Sequence, residues 1–242
     1  MENLITKTTG LALYLIRPYI AKSLAGDSAG AVDKQMAGLA NESHAAAGPL
    51  VIDATCGNGH DTLALAKLMF VCGESFDNDS ACSGRLVAVD IQPQAVEATK
   101  VLLEESGFGD RIQNGNIQLV CGSHENLAAI LCESGISAGS DDCAHAKASA
   151  VLFNLGYLPG GDKALTTKAD VTVRAVQSAL DILIPGGAVS IIMYSGHAAG
   201  AEEKAALLEY AAALDAKAFH TAYVSMPNQH GNPPEILLIT RK

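Results

Sequence analysis

The 242-residue sequence predicts an α/β fold, with a seven-stranded and mostly parallel sheet that carries helices on both faces. Two observations predict this fold. Strand-like apolar runs alternate with segments of helical periodicity along most of the chain. Near its end, two strand-like runs are joined only by Met226–Pro234, which is too short for a helical crossover, so the last strand is expected to pair antiparallel.

The predicted elements occupy most of the chain. Residues 1–48 are expected to form an N-terminal helix, Thr9–Leu24, and a weakly ordered extension, and one domain is expected over residues 49–242. The predicted strands are Pro49–Ala54, Arg85–Asp90, Ile117–Val120, Ser149–Asn154, Ala188–Tyr194, Ala218–Ser225 and Glu235–Thr240. The predicted helices between them are Asp61–Met69, Pro93–Glu105, Glu125–Glu133, Lys168–Leu183 and Ala201–Leu214. Pro185–Gly187 is predicted to be a turn that stops the preceding helix, and residues 72–84 and 133–147 to be surface insertions.

Composition narrows the possible functions. A formal net charge of −10 is unusual for a nucleic-acid binder, so any RNA partner must be argued from a site. The chain shows neither a signal-peptide pattern nor an apolar run of about 20 residues, which favours a cytoplasmic protein with no membrane partner. The six cysteines form no CxxC pair and are interpreted as reduced thiols, with a Cys72–Cys82 bridge as the alternative. Ligand spacing for a metal is absent from the sequence.

A glycine-containing turn follows the first predicted strand, in "VIDATCGNGHDT". Such a turn lets the backbone approach a ligand and directs the amides of the next helix towards it. Thr62 stands where a dinucleotide fingerprint has a third small residue, which weakens a nicotinamide interpretation. The candidate binding residues here are Asp53, Gly57, Asn58, Gly59 and Asp61.

Further candidates follow the second and third predicted strands. Asp90, at the tip of the second, is placed to accept hydrogen bonds from the ribose hydroxyls of an adenosine. Ser123, His124 and Glu125 form a strand-to-helix corner near the expected position of the adenine. The alternative is a helix cap at Ser123 and a solvated His124.

Asn154 ends the fourth predicted strand and begins "NLGYLPGGDK". An amide oxygen there can accept a hydrogen bond from an amine nucleophile, and Tyr157 can stack on a ring. Asp162 or His197 could take the proton that leaves after the reaction, whereas the alternative is an ordinary surface turn and a structural histidine.

Together these motifs resemble a class I S-adenosylmethionine-dependent methyltransferase, which has a Rossmann-like fold. The resemblance implies that the glycine turn faces the methionine moiety, that Asp90 holds the ribose, and that Gln92 and the Ser123–Glu125 corner flank the adenine. Asn-Leu-Gly-Tyr keeps the first and last members of the Asn/Asp-Pro-Pro-Tyr/Phe tetrapeptide of amine and nucleobase methyltransferases.

The set "DATCGNGHDT", "DIQ", "NLGYLPGGDK", "YSGH" and "NPP" is similar to the bacterial MnmM (YtqB-type) tRNA methyltransferases. That resemblance implies methylation of the aminomethyl nitrogen of 5-aminomethyl-(2-thio)uridine at the tRNA wobble position, with the anticodon loop as partner, and it implies a homodimer. The two insertions and the longer N-terminal segment depart from the family pattern.

Two other functions stay open at this stage. One is an S-adenosylmethionine-dependent methyltransferase for rRNA or a small amine, which the acidic charge favours. The other is a nicotinamide-dependent oxidoreductase or a non-catalytic nucleotide-binding module.

Overall fold

The structure, a computed structural model of the chain, describes residues 8–24, 48–71, 84–135, 147–156 and 168–242. Its strands are β1 (Leu50–Asp53), β2 (Arg85–Asp90), β3 (Ile117–Cys121), β4 (Ala148–Asn154), β5 (Leu183–Met193), β6 (Phe219–Val224) and β7 (Glu235–Arg241). Its α-helices are α1 (Thr8–Leu24), α2 (His60–Phe70), α3 (Pro93–Leu103), α4 (Gly109–Gln113), α5 (Leu127–Glu133), α6 (Ala169–Asp181) and α7 (Ala198–Ala213). A π-helical turn, Glu104–Phe108, and a 3₁₀ turn, His124–Asn126, complete the described elements. Most of the two predicted insertions lies outside these ranges.

The strands form one seven-stranded sheet in the order β3-β2-β1-β4-β5-β7-β6. Every pairing among β1 to β5 is parallel, whereas β7 runs antiparallel to both β5 and β6. The prediction of a mostly parallel sheet with an antiparallel last strand is therefore confirmed. Because β1 to β5 share one direction, their carboxyl ends meet at one edge, where open sheets of this kind bind ligands.

Two apolar clusters cover the faces of the sheet. One includes Phe153 and apolar residues of α5, α6 and α7, and the other includes residues of α1 and α2. In α1, Ala12, Ile16 and Ile20 are all 0% exposed, and their four-residue spacing places them on one helical face. The N-terminal helix is thus packed into the sheet core.

Several predicted boundaries are wrong. Pro185–Gly187 does not form a turn before a strand, because β5 already begins at Leu183. The pairing of β5 with β4 shifts register between Ala148 and Ala150, and Gly186 adopts a positive φ of 76°. The register shift lets β5 include Pro185–Gly187, which have no partner residues on β4, without ending the strand.

All six predicted helices differ from the observed bounds at one end or both, and two of these differences have a clear local cause. Helix α3 ends at Leu103 rather than Glu105 because Gly107, with a φ of 86°, introduces a kink after the π-helical turn begins. The helix predicted to begin at Glu125 begins at Leu127, after the 3₁₀ turn.

Candidate active site

The carboxyl ends of β1, β2 and β4 bring three candidate residues to one edge of the sheet. Asp53 pairs with Ala88 on β2 and with Leu152 on β4. Asp90 and Asn154 each lie two residues further along those neighbouring strands. The three strand tips are therefore adjacent, as the sequence predicts.

The glycine turn between β1 and α2 is held tightly against α3. Gly57 and Gly59 have positive φ values of 51° and 82°. A Cβ added at Gly59 would lie 2.8 Å from Cα of Thr99, and the Thr99 hydroxyl donates to the Gly57 carbonyl over 3.1 Å. Glycine is thus required at position 59 both for its backbone angle and for the close approach of α3.

Asp53 lies fully buried beneath this turn. One carboxylate oxygen accepts a hydrogen bond from the Thr62 hydroxyl over 2.6 Å, and the other accepts from the Thr55 amide over 3.2 Å. Burial, assisted by the nearby charge of Asp61, raises the pKa of Asp53 to about 7. Thr62, the residue that breaks the dinucleotide fingerprint, therefore fixes Asp53 below the turn.

Asp90 is only partly buried, and its two carboxylate oxygens hold two different segments. One oxygen accepts from the Gly57 amide over 3.0 Å, and the other accepts from the Gln92 amide over 2.9 Å. A carboxylate has about four acceptor positions, so each oxygen keeps capacity for a ligand hydroxyl. Gln92 precedes α3, and its side chain makes no capping bond.

The corner after β3 is held by more side-chain contacts than the sequence predicts. Oγ of Ser123 accepts from the Glu125 amide over 3.4 Å, which confirms the helix-cap alternative. Glu125 pairs with Arg174 of α6, whose Nη2 lies 2.8 Å from its Oε2. The Ser123–Glu125 corner is thereby tied to the helix layer.

His124 packs inward, so the solvated alternative is wrong. Its ring lies edge-on to the Phe153 ring, with centroids 5.8 Å apart. Burial lowers the pKa of His124, and a hydrogen bond to the Ala54 backbone acts in the opposite direction. The imidazole is therefore wedged at the ends of β1 and β4.

Asn154 is held by two residues of the segment after β1. Its backbone amide donates to the Thr55 hydroxyl over 2.7 Å, and its side-chain Nδ2 donates to Oδ2 of Asp61 over 2.8 Å. Asp61 is only 8% exposed, and burial raises its pKa. Because the Nδ2 group faces Asp61, the Oδ1 atom of Asn154 is the end of the amide that can accept a bond from a substrate.

Tyr194, directly after β5, completes this group. Burial and then the charge of Asp61 raise the pKa of Tyr194, whereas hydrogen bonds with Asn154 and Thr9 lower it. Sequence reasoning placed Asp61 among the cofactor-binding residues and did not single out Tyr194, Thr55 or Thr9. The position of Tyr194 after a predicted strand was an available signal, but no pattern marks Thr55 or Thr9.

His197 acts as a helix cap in this structure. Its Nδ1 accepts from the Gly200 amide over 3.0 Å at the start of α7. A Cβ at Gly200 would lie 1.9 Å from the Tyr194 carbonyl oxygen, so the turn between them is tight. A role for His197 as proton acceptor stays a prediction, and the candidates Tyr157 and Asp162 lie outside the described residues.

The cysteines differ from one another. Burial raises the pKa of the Cys56 thiol to about 12, and Cys121 is a free thiol at the surface. Cys132 is disulfide-bonded, so the prediction that all six thiols are reduced is wrong at this position. The spacing of the cysteines alone did not indicate this disulfide.

In the described ranges, no group of three or more His, Cys, Asp or Glu side chains is placed to hold a metal ion.

Comparison with known proteins gives several matches. A family described as "Putative rRNA methylase" matches residues 86–240. A chloroplastic tRNA (mnm(5)s(2)U34)-methyltransferase of Arabidopsis thaliana is 39% identical over 157 residues, which make up 64% of this chain and 50% of that protein. The chain thus spans about half the length of this curated relative.

Solved structures also resemble this chain. A "putative rRNA-methylase" of Clostridium thermocellum is 32% identical, with a TM-score of 0.64 over 80% of this chain and 89% of that one. A "putative methyltransferase" of Streptococcus mutans, solved with SAH, is 28% identical, with a TM-score of 0.59 and the same coverage.

Proposed function

This chain belongs to the rRNA methylase family, and from that premise we propose that it is an S-adenosylmethionine-dependent N-methyltransferase. Its proposed substrate is the aminomethyl group of 5-aminomethyl-(2-thio)uridine at the tRNA wobble position. The observation that carries the proposal is the Asn154 amide, which Asp61 fixes at a strand tip beside the glycine turn. The named activity of the Arabidopsis thaliana relative supports tRNA as the substrate class.

The residues at the sheet edge fit this cofactor. Asp90 keeps acceptor capacity for the two ribose hydroxyls while its present bonds hold Gly57 and Gln92 in place. Ile91, the next residue, is 66% exposed and offers an apolar surface beside that carboxylate. Asp53 is buried, so we propose that it acts indirectly, by fixing the turn that faces the cofactor.

An amine substrate requires an acceptor at this point. When bound, S-adenosylmethionine supplies an electrophilic methyl group on a sulfonium. A free alkylamine has a pKa of about 10 and is mostly protonated at neutral pH, so its lone pair is unavailable. We propose that Oδ1 of Asn154 accepts an N–H bond from the neutral amine and orients its lone pair, while Asp61 prevents the amide from turning over.

The proton released after methyl transfer needs a second acceptor. Asp162 and His197 are the proposed candidates, and Tyr157 is proposed to stack on the uridine. His197 could act only through Nε2, because its Nδ1 accepts the capping bond from Gly200. A lower methylation rate in His197→Gln at one fixed pH, with unchanged S-adenosylmethionine affinity, would support a role for that imidazole.

The test is a methylation assay with labelled S-adenosylmethionine. Three substrates are compared: tRNA that carries 5-aminomethyl-2-thiouridine, tRNA that already carries the methyl group, and the free nucleoside. We expect label only in the first, at the wobble position. Equal or faster labelling of the free nucleoside would instead favour the small-amine alternative, and no label in any substrate would contradict the proposal.

The cellular setting and assembly are also proposals. We propose a cytoplasmic homodimer, on the basis of the family resemblance. None of the described helices is long and apolar enough to cross a membrane. Light scattering after size-exclusion chromatography tests the dimer, and a mass of one chain would contradict it.

A further inference from the structure

The β6 end of the sheet, which is the end far from β1 and β2, carries an exposed aromatic side chain in a fixed orientation. Tyr223 lies on β6, the edge strand that pairs only with β7, and is 44% exposed. Its hydroxyl donates to Glu235, and Glu235 also pairs with Lys204. Nζ of Lys204 lies 5.4 Å from the centre of the Tyr223 ring. Side chains from α7 and β7 thus hold the ring of Tyr223 at the surface.

The Tyr223 end of β6 lies at the same edge of the sheet as Asn154, although the ring itself is on the face that α7 covers. The backbone register runs in one row from Asn154 to Ile192, then to Ile236 and to Val224. Tyr223 precedes Val224 directly. Strands are spaced about 4.8 Å apart, so the row spans roughly 14 Å, which is about four nucleotides at a stacked rise near 3.4 Å.

The segment that contains Tyr223 lies between two acids, Asp215 and Glu235, and Lys204 pairs with the second of them. Residues 216–234, which include β6 and the loop after it, contain no Asp or Glu but contain Lys217, His220 and His230. By contrast, Glu97 lies on α3 and Glu105 on the π-helical turn that follows it. In a chain with a net charge of −10, the segment between these acids is therefore a place where like-charge repulsion of an RNA is reduced.

We propose that Tyr223 is a stacking platform for an unpaired base of the substrate RNA, near the nucleotide that enters the active site. The inference rests on the proposed function and specifies where its RNA docks. Glu235 neutralises Lys204, so the platform contributes stacking rather than charge. Its orientation by Glu235 limits the loss of side-chain freedom on binding.

The experiment measures binding of a fluorescently labelled anticodon stem-loop that carries 5-aminomethyluridine. Tyr223→Ala is expected to weaken binding about 5- to 100-fold, whereas Tyr223→Phe keeps the ring and should stay within about threefold of the wild type. Tyr14→Ala is the matched control, because Tyr14 is a 51% exposed tyrosine on α1. The affinity of Tyr14→Ala for the stem-loop should equal that of the wild type.

Other measurements separate the possible failures. Tyr223→Ala should leave S-adenosylmethionine affinity, and the salt dependence of RNA binding, unchanged. If Tyr223→Ala binds the RNA as tightly as the wild type does, the inference is overturned. It is also overturned if this substitution converts a dimer to a monomer, because β6 would then be a protein interface. A wild type that methylates the free nucleoside but binds no stem-loop would overturn the inference and leave the methyl-transfer chemistry standing.

Discussion

Asp53 and Asp90 end neighbouring parallel strands at the same edge of the sheet, yet they are held in different ways. Asp53 is 0% exposed, and its oxygens accept from Thr62 and Thr55. Asp90 is partly exposed, and its oxygens accept from the backbone amides of Gly57, in the glycine turn, and of Gln92, before α3. An acid at a strand tip can therefore either be buried beneath a loop or keep its oxygens accessible at the edge, and its neighbours in space decide between the two.

Asn154 adds a third tip to this comparison. Its side chain contacts Asp61, which is itself buried, so the amide is fixed but its oxygen remains usable. The comparison predicts that variants of the three tips will affect three different measurements, namely rate, cofactor affinity and stability.

The largest expected effect is on the rate. Asn154→Ala should lower the methylation rate by about 100-fold, because it removes the acceptor that orients the amine. The S-adenosylmethionine affinity, measured by calorimetry, should be almost unchanged. Asp61→Asn should reduce the rate less, since an amide oxygen can still accept from Nδ2. Equal losses of rate and affinity in Asn154→Ala would contradict its assigned role.

Asp90→Ala should weaken cofactor binding by about 1–3 kcal/mol, because charge-assisted hydrogen bonds to the ribose are lost. Calorimetric titration with S-adenosylmethionine measures this loss. Asp110→Ala is the control, since Asp110 is an exposed acid on α4. If the affinity of Asp90→Ala matches that of the control, Asp90 does not belong to the site.

Asp53→Asn should change the pH dependence of stability rather than cofactor affinity. Folding raises the pKa of Asp53 from 3.8 to about 7, so between these values the folded chain holds a proton that the unfolded chain has released. This group's contribution to stability therefore falls as the pH rises through that window, and is fully present only below pH 3.8.

The asparagine variant lacks this titration. Its free energy of unfolding in urea should improve relative to that of the wild type between pH 5 and pH 7, by about 1–3 kcal/mol. A difference that stays constant over this range would show that Asp53 does not titrate there.

The smallest expected effect concerns Ser190 on β5, whose hydroxyl is the one buried side-chain N or O atom without a hydrogen-bond partner in the described part of the chain. Ser190→Ala should change stability by less than about 1 kcal/mol, or raise it slightly, because no hydrogen bond is lost. Ser149→Ala is the control, since Ser149 is 2% exposed and does have a partner. A larger loss at Ser190 than at Ser149 would contradict this account.

Much of the fold follows from local sequence patterns. The alternation of apolar runs with helical segments predicts all seven strands. For β2, the predicted first and last residues are those of the structure. The short connection before Glu235 predicts the antiparallel strand, because no crossover fits in it. Pro185–Gly187 was misread because proline and glycine usually stop an element, whereas a register shift absorbs them here.

The candidate site was predicted in position but not in its internal contacts. Strand tips are visible in a sequence, so Asp53, Asp90 and Asn154 could be assigned to one edge. The cap at His197 and the inward packing of His124 depend on which groups lie nearby in space, and sequence spacing does not report this.

The sequence by itself determined which residues reach the carboxyl edge of the sheet, because the ends of the apolar runs and the lengths of the connections between them can be read along the chain. Only the tertiary structure decided which of them is buried. Desolvation and hydrogen bonding depend on neighbours that are distant in the chain, such as Asn154 beside Asp61 and Tyr223 beside Glu235.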